Sequence, residues 1–284
     1  MGTIKPTIRL RRLGLELKGH REAAGYNLAQ AERLLKRSAS SISRIEKGLH
    51  HPPERDVEYF LNKYGVTEAG IYQRLYALSR DGRKRGWWQR YGTDLSPETM
   101  DLIGLEADAV SIDFFELCLI PGLLQTEDYA RAVISTGPFG SVQEQLDRLV
   151  TVRMKRQEVL IKPRPPHVWA IIDESALHRP VGSSDVMRMQ LSHLVSAARL
   201  PHVKLQVLPF QVGEHPCMTG AFKILDIGER GDLQVVIVDS LTQITYREEE
   251  AEVRRYADAF HRLKAAALPE ADSLALIERL VSET

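Results

Sequence analysis

The feature that most constrains this fold is a pair of short segments with apolar patterning, joined by very few residues. Asn27 is a favourable helix N-cap before the first segment, and Ser38 is one before the second. Gly48 follows the second segment and can end its helix. The apolar positions, spaced as on one face of a helix, are Leu28, Ala31, Leu34, Leu35, Ile42 and Ile45. This spacing predicts two short helices connected by a tight turn.

A further helix is predicted on each side of this pair. Leu10, Leu13 and Leu17 recur at i, i+3 and i+7, and Gly25 follows them as a helix stop. Beyond a break at two prolines, the pattern indicates a fourth helix that ends before Gly65. The apolar face of that helix consists of Val57, Phe60, Leu61 and Tyr64. The N-terminal region is therefore predicted to be an all-α bundle.

Charge is divided very unevenly along the chain. Residues 1–91 contain 19 Lys and Arg against 9 Asp and Glu, whereas residues 92–284 contain 19 against 29. The two parts therefore carry net charges of +10 and −10, although the whole chain sums to zero. A basic module attached to a larger acidic one suits an anionic partner, such as DNA, at one end of the chain only.

The stretch NLAQAERLLKRSASSISRIEKG resembles the phage-repressor (Cro-type, or XRE) helix-turn-helix. SASSISRIEKG is its most specific part, and the match covers about residues 8–66. The resemblance implies a DNA-binding domain over residues 7–66 that places its third helix in the major groove of double-stranded DNA.

The third helix begins with small polar side chains, which let its N-terminus approach the DNA backbone. Ser40 and Ser41 can touch base edges, and Arg44 can reach a guanine or a phosphate. Lys36 and Arg37 can add phosphate contacts or remain solvated surface groups. The candidate DNA-binding residues are Asn27, Lys36, Arg37, Ser38, Ala39, Ser40, Ser41 and Arg44.

Four positions follow from comparison with the repressor pattern. Arg21 and Glu46 fall where related repressors place a structural ion pair between the first and third helices. Leu28 stands where the family usually has a Gln that touches phosphate. Lys36 stands where the turn usually has Gly, so a positive φ is expected there at a cost of roughly 1 kcal/mol.

Residues 67–96 are predicted to form a helical and basic linker. A helix is indicated over residues 67–80, and RDGRKRGWWQRYG follows it. The basic residues around the two tryptophans could extend the DNA contact or grip a partner, but a solvated linker is the simpler interpretation. Those basic residues are Arg80, Arg83, Lys84, Arg85 and Arg90.

Residues 97–284 are predicted to form a larger α+β regulatory and dimerisation domain with a mixed, partly antiparallel sheet. A helix is expected over residues 97–113, followed by an apolar strand at FFELCLIPGLL that buries Cys118. The remaining strands are expected at HVWAIID, VKLQVLPF, FKILDI, LQVVIVD and QITYRE. Helices are expected at TEDYARAVIS, over residues 143–162, 184–199 and 270–282, and around Val253 to Leu263.

Several ordered motifs of this region resemble the C-terminal domain of a large group of actinobacterial helix-turn-helix regulators. They are WWQRYG, LEADA, LIPGLLQTEDYARAV, DESALHRPVG, VKLQVLPF and GEHPCMTGAF, over about residues 85–270. The resemblance implies transcriptional regulation by a homodimer. It also implies an antitoxin-like action with a small protein partner encoded nearby. Two cysteines and the absence of a long apolar run suit the cytoplasm rather than a membrane.

Enzymatic chemistry has weak support in the sequence. Asp173 and Glu174 end a predicted strand near His178, where a carboxylate pair could work as acid and base, but a strand end followed by a helical turn is the preferred explanation. His202, His215 and Cys217 lack the spacing of a structural zinc site. We therefore expect no enzyme, no cofactor and no metal.

An alternative function is a one-component regulator whose C-terminal domain binds a small molecule. Gln125, Thr126 and Tyr129 lie at a predicted helix N-terminus, which is a natural site for an anion or a carbonyl. With His215, they are the candidate residues for a ligand or partner. Helix capping and core packing are the competing explanation for these residues.

Overall fold

The computed structural model describes residues 7–82, 86–137, 142–228, 233–241 and 243–284. The chain divides into two compact units, Met1–Gln89 and Arg90–Thr284. Three basic residues of the predicted linker, Arg83, Lys84 and Arg85, lie outside the described residues.

The described part of the first unit contains five α-helices. They are α1 (Ile8–Ala23), α2 (Leu28–Leu35), α3 (Ala39–Glu46), α4 (Glu54–Lys63) and α5 (Ala69–Asp81). The apolar positions predicted from the 3.6-residue period form the core, where Leu13, Ile42 and Leu61 are fully buried. The predicted all-α bundle is confirmed.

The ends of α2 are set by local hydrogen bonds and by one strained residue. Asn27 Oδ1 accepts a hydrogen bond from the Gln30 amide at 2.9 Å, and Gln30 Oε1 accepts one from the Asn27 amide at 2.8 Å. This capping box satisfies amides that the helix itself leaves unpaired. At the other end Lys36 has φ 52° and ψ 40°, so the positive φ expected there is confirmed.

Helix α5 lies in the range that the sequence assigned to a linker, yet it packs inside the first unit. Its Leu75 and Leu78 are buried. Ser79 Oγ donates to Pro52 O at 2.8 Å, and Arg74 reaches Glu16 at 2.8 Å. An apolar face of this kind stabilises a helix by packing, which a solvated linker would not use.

Helices α1 and α3 approach closely at Gly14. A Cβ atom built there would lie 2.5 Å from the carbonyl oxygen of Glu46 and 2.6 Å from that of Ile45. Both atoms belong to the backbone of α3, so a side chain could be accommodated only by moving that helix. Gly19, on the same helix, has no atom within 4 Å of its Cβ position.

These two glycines give a matched pair of substitutions. We expect Gly14→Ala to destabilise the first unit by about 1–3 kcal/mol, because the methyl group overpacks against the α3 backbone. Gly19→Ala should stabilise it by up to about 1 kcal/mol, because alanine is the better helix former at an open position. Urea unfolding followed by circular dichroism measures both changes. Equal effects of the two substitutions would contradict the close approach.

The second unit is built on a six-stranded mixed sheet, as predicted. Its strands are β1 (Ala109–Glu116), β2 (His167–Asp173), β3 (Val203–Leu208), β4 (Phe222–Ile227), β5 (Leu233–Asp239) and β6 (Ile244–Arg247). The spatial order is β3-β2-β1-β4-β5-β6. The first three strands are mutually parallel, and β4 to β6 continue the sheet in antiparallel pairs.

Helices cover the sheet and connect its parallel strands. They are α6 (Pro97–Asp108), α7 (Glu127–Ser135), α8 (Gln143–Arg156), α9 (Glu174–His178), α10 (Ser184–Ala197), α11 (Glu250–Ala266) and α12 (Glu270–Glu283). On one face Phe115, Ile171 and Val236 pack with Phe260 and Leu263 of α11. On each strand, the residues on either side of these point to the opposite face of the sheet.

The exposed edge of β3 is partly occupied by the connection between α11 and α12. The Leu268 amide donates to Val207 O at 2.9 Å, and the Val207 amide donates to Ser273 Oγ at 2.9 Å. Backbone groups that an edge strand usually leaves unpaired are thus satisfied at this residue.

Two boundaries in this unit were predicted wrongly. The helix expected over residues 97–113 ends at Asp108, because the following residues alternate between buried and less buried positions, as a strand requires. The next strand ends at Glu116, so Cys118 lies outside it and is exposed rather than buried. The apolar residues that follow are buried through a 3₁₀ turn at Gly122–Leu124 instead.

Candidate nucleic-acid interface

Helix α3 has a buried side and an open side. Ile42 and Ile45 are almost completely buried in the bundle, whereas Ser40 and Arg44 are exposed. Ala39 and Ser41 are half-buried. The 3.6-residue period of the helix therefore places small polar side chains and one guanidinium along its open side.

The N-terminus of α3 keeps backbone donors available. Ser38 Oγ accepts a hydrogen bond from the Ser41 amide at 3.2 Å, and the Ile42 amide donates to Ser38 O at 3.0 Å. The amides of Ala39 and Ser40 are the remaining donors of the first turn, and an α-helix provides no partner for them. Ser38 therefore acts as the cap, and the two free amides suit an anionic oxygen.

Arg44 leaves its charge on the open side. Its guanidinium has no carboxylate within 4.0 Å among the residues that the structure describes. Its carbonyl accepts hydrogen bonds from the Leu49 and His50 amides at 2.8 and 3.2 Å, which close the end of the helix. The backbone at Arg44 is thus fixed while its side chain remains free for a ligand.

A buried ion pair fixes the position of α3 against α1. Arg21 Nε and Nη2 donate to the two carboxylate oxygens of Glu46 at 2.6 and 3.0 Å. Arg21 Nη1 also donates to Tyr26 O at 2.6 Å. The hydrogen bond to Glu46 raises the pKa of Arg21 above its ordinary value. This bidentate geometry fixes both the distance between α1 and α3 and their relative orientation at this point.

The other candidate contacts divide into two groups. Lys36 is exposed and has no ion pair within the described part of the chain. Arg37, in contrast, lies 2.7 Å from Asp56 and stacks over Phe60 at 5.6 Å. Arg37 therefore holds α4 against the turn. Asn27 is exposed but uses its side chain for the capping box.

One cation of this surface was not identified from the sequence. Lys47 follows α3 and borders an open groove of about 660 Å³ between α1, the start of α2 and the end of α3. Asn27 and Leu28, at the start of α2, also line this groove. Helical periodicity did not single out Lys47, because it lies just outside α3 and is exposed.

Three of the candidate ligand residues in the second unit form an internal hydrogen-bond network. Gln125 is buried; its Nε2 donates to Ile120 O at 2.8 Å and its Oε1 accepts from Arg153 at 2.7 Å. Thr126 caps α7, accepting from the Tyr129 amide at 3.4 Å. The buried Tyr129 hydroxyl in turn accepts from the Ile120 amide at 3.3 Å. These contacts fix the loop after β1.

His215 is placed differently. It packs edge-on against Phe115 at 5.5 Å, and its Nδ1 accepts a hydrogen bond from the Cys217 amide at 3.3 Å. No hydrogen bond, ion pair or ring contact joins His215 to Gln125, Thr126 or Tyr129 in the described ranges. Likewise, no group of three or more His, Cys, Asp or Glu side chains there could hold a metal ion.

The carboxylates considered for acid–base chemistry have structural contacts. Asp173 Oδ1 accepts from the Ser175 amide at 2.9 Å and caps α9. Glu174 Oε2 accepts from the Phe210 amide at 2.8 Å, and its other oxygen lies 3.4 Å from His178. The bond between Phe210 and Glu174 joins the segments that follow β2 and β3.

Comparison with known families gives the class of this protein. A family model described as a helix-turn-helix domain matches residues 12–71 and confirms the predicted motif, which is typical of DNA-binding regulators. A second family model, a domain of unknown function (DUF5753), matches residues 99–279. Because that match covers more than half of the chain, the protein belongs to this family. No curated protein and no solved structure matches the chain.

Within the described ranges, none of the helices has both the length and the apolar character that crossing a bilayer demands.

The ion pair gives a prediction about stability. Glu46→Gln should destabilise the first unit by about 3 kcal/mol, because it leaves the buried Arg21 charge without its carboxylate. The double variant Arg21→Met/Glu46→Leu should recover part of this loss, since both charges are removed. Urea unfolding measures the changes. The control is Lys18→Gln, which breaks an exposed pair with Glu22 in the same unit and should change stability by less than about 1 kcal/mol. A loss as small for Glu46→Gln would contradict the structural role.

Proposed function

We propose that this protein is a sequence-specific transcriptional regulator of the XRE type that acts in the cytoplasm on double-stranded DNA. The observation that carries the proposal is the open side of α3, where Ser40 and Arg44 are exposed beside free backbone amides. The opposite side of the same helix is fixed by Ile42, Ile45 and the Glu46 ion pair. A rigid helix that presents short polar groups and one guanidinium fits the major groove.

Specific contacts follow from these positions. Ser40 and Ser41 touch base edges, and Arg44 pairs with a guanine or a phosphate. Ala39 contacts a thymine methyl group, and the amides at the start of α3 receive a phosphate. Lys36 and Lys47 supply charge to the DNA backbone on either side of the helix. Arg37 stays a predicted phosphate contact, although in this structure its guanidinium pairs with Asp56.

The proposed regulator is a homodimer. A single module of this kind makes a small interface, and paired modules read two half-sites about 34 Å apart, or a multiple of that distance. The C-terminal unit provides the dimer contact and receives the regulatory signal. Sedimentation equilibrium tests this directly, and a monomer at micromolar concentration both with and without DNA would refute it.

The signal is proposed to come from a small protein partner encoded beside the gene, as in antitoxin-like members of the actinobacterial group. The resemblance of the C-terminal motifs supports this proposal. Adding the neighbouring gene product to a protein–DNA complex should change the footprint, and an unchanged footprint would argue against it. A second candidate is control by a small molecule bound to the second unit, which the charged residues Glu116, Arg153, Lys223 and Asp239 at one edge of its sheet favour.

Arg44 gives the principal test of DNA recognition. Arg44→Ala should weaken binding to the duplex that the wild-type protein selects from a random pool by about 1–3 kcal/mol, and relax preference at one base position. Fluorescence anisotropy with matched and mismatched duplexes measures both effects. Arg254→Ala, an exposed change on α11, is the control and should leave affinity unchanged. Full affinity and selectivity in Arg44→Ala would refute the proposed contact.

Lys36 separates a backbone contact from a structural role. Lys36→Gly removes the charge but suits the left-handed conformation, so the unit should keep or gain stability. Affinity for all duplexes should fall by a similar factor, and the slope of log K against log salt should decrease by about 1. Anisotropy titrations over a range of salt concentrations provide the slope. An unchanged slope would show that Lys36 does not contact phosphate.

A further inference from the structure

The order of strands in the second unit creates a distinctive position between β1 and β4. Chain connections run from β1 outward to β2 and β3 on one side, and β4 to β6 extend the sheet on the other. In open parallel sheets covered by helices, ligands usually bind where the strand order reverses, next to the carboxyl ends of the strands. Here β4 is antiparallel to β1, so the amino end of β4 meets the carboxyl end of β1 at this edge. The reversal here lies at the carboxyl end of β1.

Three charged residues lie on the strands at this edge. Glu116 is the last residue of β1, and Asp239 is the last residue of β5, which runs in the same direction. Lys223 stands near the start of β4, opposite Phe114 in the antiparallel register, with its Nζ 5.9 Å from the ring centre of Phe114. Because side chains alternate along a strand, Phe114 and Glu116 share one face, and Lys223 lies on it too.

A fourth charge comes from helix α8. Arg153 Nη1 donates to Gln125 Oε1 at 2.7 Å, so the fixed loop after β1 positions the guanidinium. Gly122 makes room for it, because a Cβ atom there would lie 3.0 Å from Arg153 Nη1. The loop network that contains Gln125 therefore supports this arginine.

Glu116 interacts electrostatically with Lys223, Asp239 and Arg153 but forms no close pair with them. Within the part of the chain that the structure describes, no two of them form a hydrogen bond or an ion pair within 4.0 Å. Helix α8 does form a close ion pair nearby, in which Arg156 donates to both carboxylate oxygens of Glu106 at 2.8 and 2.9 Å. Glu116, Arg153 and Lys223 are partly buried, whereas Asp239 is exposed at the end of β5. Partly buried charges are normally paired, so the three that have no close ion pair are candidates for ligand binding.

Burial changes the proton affinities of two of these groups. Burial raises the pKa of Glu116 to about 7, with Lys223 and Arg153 opposing the change and Asp239 reinforcing it. Burial also lowers the pKa of Arg153 to about 10, and the neighbouring charge of Arg156 adds to this effect. Each group is thus held where a counter-charge would stabilise its ionised form.

We propose that Glu116, Arg153, Lys223 and Asp239 form a binding site for a small zwitterion of the amino-acid class. The set holds two cations and two anions, so it matches a molecule with one ammonium and one carboxylate better than a simple anion or cation. The carboxylate would meet Arg153 and Lys223, and the ammonium would meet Glu116 and Asp239. Only the effect on DNA rests on the function proposed above.

Binding is tested on the full chain without DNA. Each common L-amino acid is titrated at millimolar concentration by calorimetry, together with the amine and the acid that lack one of its two charges. At least one amino acid should bind, and its single-charge analogues should bind at least about tenfold more weakly. If no amino acid binds, or if an analogue binds equally well, the proposed site is wrong.

Two variants locate the site. Glu116→Gln and Lys223→Gln should each weaken binding by about tenfold or more, since each removes a charge-assisted contact. Asp128→Asn on α7 and Lys204→Gln on β3 are matched controls for the two changes and should bind normally. Circular dichroism verifies folding, and either folded site variant is sufficient for the test. Unchanged affinity in both site variants would overturn the assignment.

The pH dependence adds an independent readout. Binding should strengthen as pH rises through about 7, because the ammonium requires ionised Glu116. The groups that face this carboxyl are Lys223 on β4, Asp239 on β5, Arg153 on α8 and Tyr129 on α7. The Glu116→Gln variant should lose this dependence, and a variant that keeps it would count against the site.

A last measurement distinguishes this inference from the proposed function. DNA affinity is measured with and without the bound amino acid. A shift in affinity that Glu116→Gln abolishes supports both proposals. Amino-acid binding in a protein that never binds DNA would refute the regulator function and leave the site supported. DNA binding in a protein that binds no amino acid would refute the site alone.

Discussion

The buried contact between Arg21 and Glu46 is the interaction on which the candidate DNA interface depends. Helix α3 has only eight residues, and a helix of that length is marginal in water by itself. It keeps its orientation because Glu46 is held by two hydrogen bonds and Ile42 and Ile45 are buried. The close approach at Gly14 completes this support. The open side of α3 can therefore remain polar without contributing to stability.

Much of the first unit could be predicted from sequence because its signals are local. The caps at Asn27 and Ser38 lie within four residues of the amides that they satisfy, and helical periodicity identified the buried face. The positive φ of Lys36 was expected because the resembled repressor pattern usually has Gly at this position. The ion pair of Arg37 with Asp56 and the crowding at Gly14 could not be predicted, since both depend on how separate helices approach each other.

In the second unit, sequence was informative about strands and poor about their surroundings. Alternation and β-branched residues predicted the strands, but periodicity did not separate the end of α6 from the start of β1 at Ala109. The loop at Gln125 was recognised as polar, yet its partner Arg153 lies on another helix. Glu116 and Lys223 are adjacent only through the pairing of β1 with β4, which no local pattern encodes.

The covered edge at Val207 restricts how two copies of the second unit could join. Strand addition between copies needs unpaired backbone groups, and the connection between α11 and α12 already engages those of Val207. A continuous sheet across two copies is therefore hindered at Val207, and the other edge of the sheet is β6, at the opposite end of the strand order. That strand has only four residues, Ile244–Arg247, so such a seam would be short, and helix contacts would have to provide most of the buried area.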